Sequence, residues 1–266
     1  LYAPQTFNAA MATARVQSAL DLVVAEMSPW EANSTLSRFN AAPAGAWLTL
    51  SPHFAAVLKT SLDVARDTAG AFDPTIGSVV NAWGFGPAYV DRLPPIAVEG
   101  HERALSQGWR ALEFDIETGR VRQPGGLVLD FCGIAKGYGV DLAARSLRSL
   151  GVRDFLVEVG GELKGEGVKP DGSPWWVELE LPIDEGRPQQ SDLVAALHGA
   201  AIATSGDYQR FVLRDGHRYS HTIDPMTGRP LTNGVASVTV IRTVARAGCR
   251  MSRVIVSPSA VSCPNW

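Results

Sequence analysis

Four segments of this 266-residue chain combine glycine with acidic, basic or hydroxyl residues more densely than packing alone requires. The first runs Gly70-Ala71-Phe72-Asp73-Pro74-Thr75-Ile76-Gly77 and on to Asn81-Ala82-Trp83-Gly84-Phe85-Gly86. Its small residues permit close backbone approach, and Asp73 offers an acceptor that suits a planar heterocycle with ring N–H donors. The alternative is that Asp73 caps the next turn while Trp83 and Phe85 belong to the core. The second, Asp130 to Asp141, places backbone N–H groups and Lys136 where a strand end meets a helix start, an arrangement suited to diphosphate charge, with Asp130 facing a cation or a ribose. It has neither phosphate-loop spacing nor the dinucleotide glycine fingerprint, so taken alone it reads first as a solvated helix N-terminus.

The third segment, Glu158-Val159-Gly160-Gly161-Glu162, reads as a tight turn at a strand end with a structural role. The fourth joins Thr204-Ser205-Gly206-Asp207-Tyr208 to Ser220-His221-Thr222-Ile223-Asp224-Pro225, bringing hydroxyls, a carboxylate and a histidine to strand ends. His221 is the best single candidate for proton transfer, against the alternative of a satisfied structural histidine. No Gly-x-Ser-x-Gly elbow surrounds Ser205, which argues against a protease-type nucleophile.

The elements that must hold these residues follow from periodicity. Val16, Leu20, Val23, Val24 and Met27 fall at helical spacing between Asn8 and Met27. Ser51-Pro52 opens a second helix that carries Phe54, Val57, Leu58, Leu62 and Ala65 toward Gly70. Gly86 to Pro95 reads as a surface excursion, and Ala111–Ile116 with Arg120–Val121 as a hairpin around Thr118-Gly119. Leu127 to Leu129 is a short strand leading into a helix that ends at Leu150 with Gly151 as its stop. Strands are expected at 154–159, at 175–181 with one wet face, and at 236–241, and a hairpin over 209–213 and 218–221 around Asp215-Gly216. Together these give an α+β fold with antiparallel sheets and helices packed on one side.

With 45% hydrophobic and 19% charged residues the chain can bury an ordinary core. A net charge of −3 and the lack of any Lys or Arg stripe argue against a nucleic-acid partner. Cys132, Cys249 and Cys263 are too few and too scattered for a disulfide framework or a zinc cluster, and are expected to be free thiols. No apolar stretch approaches the roughly 18 residues of a membrane helix. Leu1 reads as the start of a mature or trimmed product.

Taken in order, Met27-Ser28 with Ser34-x-x-Ser37-Arg38-Phe39-Asn40, GAFDPTIG with WGFG, LDFCGIAKGYGVD, VEVGGELKGEG, TSGDYQRF and SHTIDPMTGRP resemble the ApbE family over roughly residues 20 to 241. The resemblance implies two T-fold-like lobes with a flavin site between them. It implies an FAD:protein FMN transferase that uses FAD as substrate and Mg²⁺, and moves FMN to a Thr or Ser hydroxyl of a target flavoprotein with release of AMP. Some members instead hydrolyse FAD, which makes an FAD diphosphatase the enzyme alternative. Carried over residue by residue, Trp30, Ala71, Phe72, Asp73, Asp130, Lys136, His221 and Ile223 would contact FAD. Gly133 would reach the metal through its backbone oxygen, and His221 with Lys136 would assist the transfer. Many members are periplasmic lipoproteins, which implies the bacterial envelope, with membrane anchoring through a segment absent from this chain.

The departures lie at the two ends. A Met-Gly-Thr segment expected before Leu1 is absent. The family's Ala-Asp-Ala-x-x-Thr helix, whose Asp and Thr or Ser hold Mg²⁺, is replaced by Ala247-Gly248-Cys249-Arg250-Met251-Ser252. The expected division is therefore a flavin transferase domain over 1–241 and a divergent tail over 242–266. A reading-frame change within the Gly248-Cys249 codons is one account of that tail. A flavin-binding protein that has lost turnover is another, and it is the non-enzyme alternative.

Overall fold

The computed structural model describes residues 8–88, 107–179, 193–207, 210–214, 216–243 and 252–258, the last segment as backbone only. The chain divides into two compact units, each discontinuous: one comprises residues 1–20, 136–220 and 232–266, the other 21–135 and 221–231.

Helix α1 (Ala9–Met27) is followed by α2 (Thr35–Ala41), whose N-cap Ser34 accepts from Ser37 N–H at 3.0 Å and donates to the Ser28 carbonyl at 2.7 Å. Strand β1 (Trp47–Thr49) leads to α3 (Pro52–Asp67), which starts as its sequence dictates. Ser51 accepts from Phe54 N–H, Pro52 occupies the first turn, and the Ser51 hydroxyl donates to Glu26 Oε2 at 2.5 Å. A cap of this kind contributes about 1 kcal/mol. The apolar face of α3 buries Phe54, Val57, Leu58 and Ala65, and Phe54 stacks at a tilt on Phe131, 5.1 Å between centroids.

Short α4 (Gly77–Ala82) follows the first glycine-rich segment. Strands β2 (Glu113–Asp115) and β3 (Arg120–Arg122) form the expected hairpin, and β1 adds to β3 to give an antiparallel three-stranded sheet. Among the described residues, Leu127 to Leu129, expected as a strand, makes a single parallel bridge, between Val128 and Ile76. Side chains take the backbone groups that a sheet neighbour would have used. Asn40 brackets Leu129, donating to its carbonyl at 3.0 Å and accepting from its N–H at 2.7 Å, and buried Gln123 donates to the Leu127 carbonyl.

In the other unit, α5 (Ala135–Ser149) stops before Gly151, which adopts φ +80°. Strands β4 (Phe155–Val159), β5 (Glu162–Glu166), β6 (Trp175–Glu178), β7 (Val194–Leu197), β8 (Ala200–Gly206), β9 (Phe211–Arg214) and β10 (His217–Ser220) follow. The chain then returns to the unit of residues 21–135 and 221–231 for the two-stranded ribbon of β11 (Ile223–Asp224) and β12 (Arg229–Pro230). It ends with β13 (Val235–Thr243) and β14 (Ser252–Pro258). The main sheet has the order β14-β13-β8-β5-β4, and all its pairings are antiparallel. One core packs α1 and α5 around Phe155 through Ala12, Ala144, Leu147 and Val152. A second gathers Trp175, Leu197, Ala200 and Ile202.

Gly165 lies where that second core admits no side chain: a Cβ would sit 2.6 Å from Leu197 Cβ and 2.8 Å from its carbonyl oxygen. Gly165→Ala is expected to destabilise the protein by about 1–3 kcal/mol, read as an earlier urea midpoint with unchanged slope.

The mixed helical and antiparallel architecture agrees with the α+β expectation. The 154–159 and 236–241 strands and the hairpin flanking Gly216 form within a residue or two of the expected places, and the 175–181 strand closes at Glu178. Most of the 86–95 excursion, the end of the 175–181 strand, Tyr208, Gln209, Asp215 and the 247–251 segment lie outside the described residues. Cys132 is exposed and in no disulfide among the described residues, while Cys249 and Cys263 lie outside them. Among the described residues no helix is long and apolar enough to cross a membrane.

Candidate functional site

In the unit formed by 21–135 and 221–231, the glycine-rich segment turns at Asp73 because both carboxylate oxygens find donors. Oδ1 accepts from Thr75 N–H at 2.8 Å and Thr75 Oγ1 at 2.7 Å, and Oδ2 accepts from Trp109 N–H at 3.2 Å. Trp109 belongs to a 3-10 turn, Gly108–Ala111, that sequence reasoning overlooked. Gly108 adopts φ +54°, and a Cβ there would overlap Asp73 Oδ2, so only glycine permits this approach. The capping alternative for Asp73 therefore holds. Trp83 and Phe85 are buried, as the core alternative required.

The second segment packs onto the first. Asp130 N–H donates to the Pro74 carbonyl at 2.8 Å, Gly77 N–H donates to the Val128 carbonyl at 3.0 Å, and Asp130 Oδ1 accepts from Cys132 N–H at 2.7 Å. A Cβ on Gly133 would lie 3.3 Å from Phe72 Cε2, so the exposed backbone at Gly133 and the Phe72 ring are neighbours. Ala71, Phe72, Asp73, Asp130 and Gly133 thus share one region of this unit. Trp30 is placed at the surface, 55% exposed, with its backbone N–H donating to Ser28 Oγ.

The fourth segment's second half joins the same unit through Trp83, whose indole N–H donates to the Gly228 carbonyl at 2.8 Å. Asp224 shapes the turn between β11 and β12, accepting from Met226 N–H and Thr227 Oγ1, both at 2.9 Å. Half-buried His221 sits just before that ribbon with its ring edge-on to Phe85, 6.2 Å between centroids. Ile223, half-buried, pairs with Pro230.

The remaining candidates belong to the other unit. Lys136, in the first turn of α5, donates to the Gly160 carbonyl at 3.0 Å and pairs with Glu162 Oε1 at 2.7 Å. The third segment does make the expected tight turn, with Gly160 and Gly161 at φ +57° and +92°, and it also delivers Glu162 to Lys136. That contact escaped the sequence reading, although glycines followed by an acidic residue were its signal. Thr204 and Thr239 face each other across β8 and β13 with hydroxyls 2.8 Å apart.

The sequence matches the ApbE family over residues 2–260. It is 39% identical over 222 residues to an FAD:protein FMN transferase of Vibrio cholerae, covering 84% of this chain and 66% of the relative. The chain thus spans about two thirds of that relative's length. The fold resembles the apo crystal structure of Pseudomonas stutzeri flavinyl transferase ApbE with a TM-score of 0.77 and 36% identity, covering 90% of this chain and 73% of that one. It also resembles the ApbE protein of Thermotoga maritima with a TM-score of 0.80 and 32% identity, covering 90% and 76%. The chain therefore belongs to the ApbE family.

Proposed function

We propose that this protein transfers FMN from FAD to a Thr or Ser hydroxyl of a target flavoprotein and releases AMP. The observation that carries this reading is its 39% identity, over 84% of the chain, to a relative named for that activity. The close packing of the 71–77 and 128–133 segments in one unit is consistent with it.

In this reading the isoalloxazine rests against Ala71, Phe72 and Asp73, with Trp30, Asp130 and Ile223 as further FAD contacts. Gly133 to Lys136 receive the diphosphate. His221 accepts the proton of the acceptor hydroxyl as its oxygen bonds to the FMN phosphorus. The bond from that phosphorus to the bridging oxygen breaks, and AMP leaves with the electron pair. Positioning and charge neutralisation supply most of such a reaction's acceleration.

The Mg²⁺ requirement implied by the resemblance finds limited support in this chain. Mg²⁺ takes oxygen ligands in near-octahedral geometry, usually with one or two carboxylates. Gly133 offers a carbonyl, yet no group of three His, Cys, Asp or Glu side chains that could hold a metal gathers among the described residues. Those residues do not make the site by themselves, and no step above passes through the ion.

The test incubates the protein with FAD, with and without Mg²⁺ and a protein bearing an acceptor Thr. AMP release and flavin fluorescence on the denatured acceptor are followed together. AMP and covalent fluorescence that both require the acceptor are the expected result. AMP without an acceptor would make the protein a diphosphatase. Bound FAD with neither signal would make it a flavin-binding protein, the outcome favoured by Gly248, which stands where the family's helix has its Asp.

A further inference from the structure

Lysine carries three N–H donors, and for Lys136 two have fixed acceptors, the Gly160 carbonyl and Glu162 Oε1. The third has no protein acceptor among the described residues. The Lys136 side chain is 47% exposed, whereas that of Glu162 is only 14% exposed. An exposed lysine normally samples many rotamers, but this one is tied at its tip to groups from the β4–β5 turn.

The turn is built for that contact. Gly160 adopts φ +57°, and a Cβ on it would lie 3.1 Å from Lys136 Cδ, so the stem packs directly over the glycine. Gly161 N–H donates to Glu158 Oε1 at 2.7 Å, and Glu162 pairs with Val159 at the start of β5. Glu162 Oε2 is buried and has no hydrogen-bond partner among the described residues. The Lys136 ammonium is the charged partner of this largely buried carboxylate, so Glu162 and the lysine tip hold each other in place.

We propose that Glu162 and the Gly160 carbonyl are positioning groups that hold the Lys136 ammonium with one N–H free for a phosphoryl oxygen of FAD. The inference rests on the flavin reading above and extends it to a residue outside that reading. Ordering the lysine before the ligand arrives removes an entropy loss that binding would otherwise incur. The free N–H then forms a charge-assisted hydrogen bond, the stronger class of such bonds.

The test is a double-mutant cycle on flavin affinity, with FAD and the phosphate-free riboflavin as the two probes. Glu162→Met and Lys136→Met are each expected to weaken FAD binding about five- to tenfold while riboflavin affinity stays within about twofold. The double variant should bind FAD no more weakly than Lys136→Met, because Glu162 acts through the lysine. Glu162→Gln, which keeps a neutral acceptor, should fall between wild type and Glu162→Met. Unchanged FAD affinity in Glu162→Met, equal losses for both flavins, or additive losses in the double variant would each overturn the proposal. Wild-type protein that binds neither flavin would overturn the flavin reading itself, whereas normal wild-type binding with an indifferent Glu162→Met removes only the positioning role.

Discussion

His221→Ala should lower acceptor-dependent AMP release by about 100- to 1000-fold, with FAD affinity held within about twofold of wild type. The split between rate and affinity follows from where the ring sits. His221 is half-buried against the edge of Phe85, and the turn beyond it is held by Asp224 and by Trp83 bonding Gly228, none of which needs the imidazole. On the proposed reading, removing the ring deletes a proton acceptor, while the Asp224 and Trp83–Gly228 hydrogen bonds, which do not use the imidazole, stay in place. Partial recovery of rate with added imidazole would show that the missing function is proton transfer. A variant that retains full rate and normal FAD affinity would make His221 structural.

Asp73→Asn should weaken FAD binding by about tenfold or more and cost about 1–3 kcal/mol of stability. Asp73 accepts three hydrogen bonds, two on one oxygen and one on the other, all from donors. An amide presents one acceptor and one donor, so neither orientation of Asn can satisfy Thr75 N–H and Trp109 N–H together. In one orientation the NH₂ faces Trp109 N–H; in the other it faces Thr75. Flavin fluorescence titration and urea unfolding measure the two effects separately. Asp73→Asn with wild-type affinity would show that the turn is no part of the flavin site.

Local signals were readable in the sequence, and distant ones were not. Ser51 followed by Pro52 and the stop at Gly151 are short-range devices, and α3 and α5 observe them. Leu127 to Leu129 has the composition of a strand, but Asn40, 89 residues before Leu129, supplies its hydrogen bonds. Nothing local marks that substitution of side chain for strand. Asp73 reads as a possible cap from its own segment, but one of the donors that complete the cap is Trp109 N–H, 36 residues further on. The Gly160-Gly161 turn was legible as a turn, while the side chain it delivers to Lys136 became visible only once α5 and β5 had their places.

The alternation of the chain between its two units bears on how the protein comes to fold during synthesis. The unit made of 21–135 and 221–231 lacks its β11–β12 ribbon, and with it the Gly228 acceptor of Trp83, until well over 200 residues have been made. The other unit waits longer: β13, which joins β8 to β14 in the main sheet, begins only at Val235. Neither unit can close as the nascent chain emerges, so both mature late, through contacts of large sequence separation that form slowly. Until β13 arrives, β8 offers an unpaired edge to any neighbouring chain. This protein should consequently depend on chaperone protection during expression more than a protein of equal size whose units are contiguous in sequence.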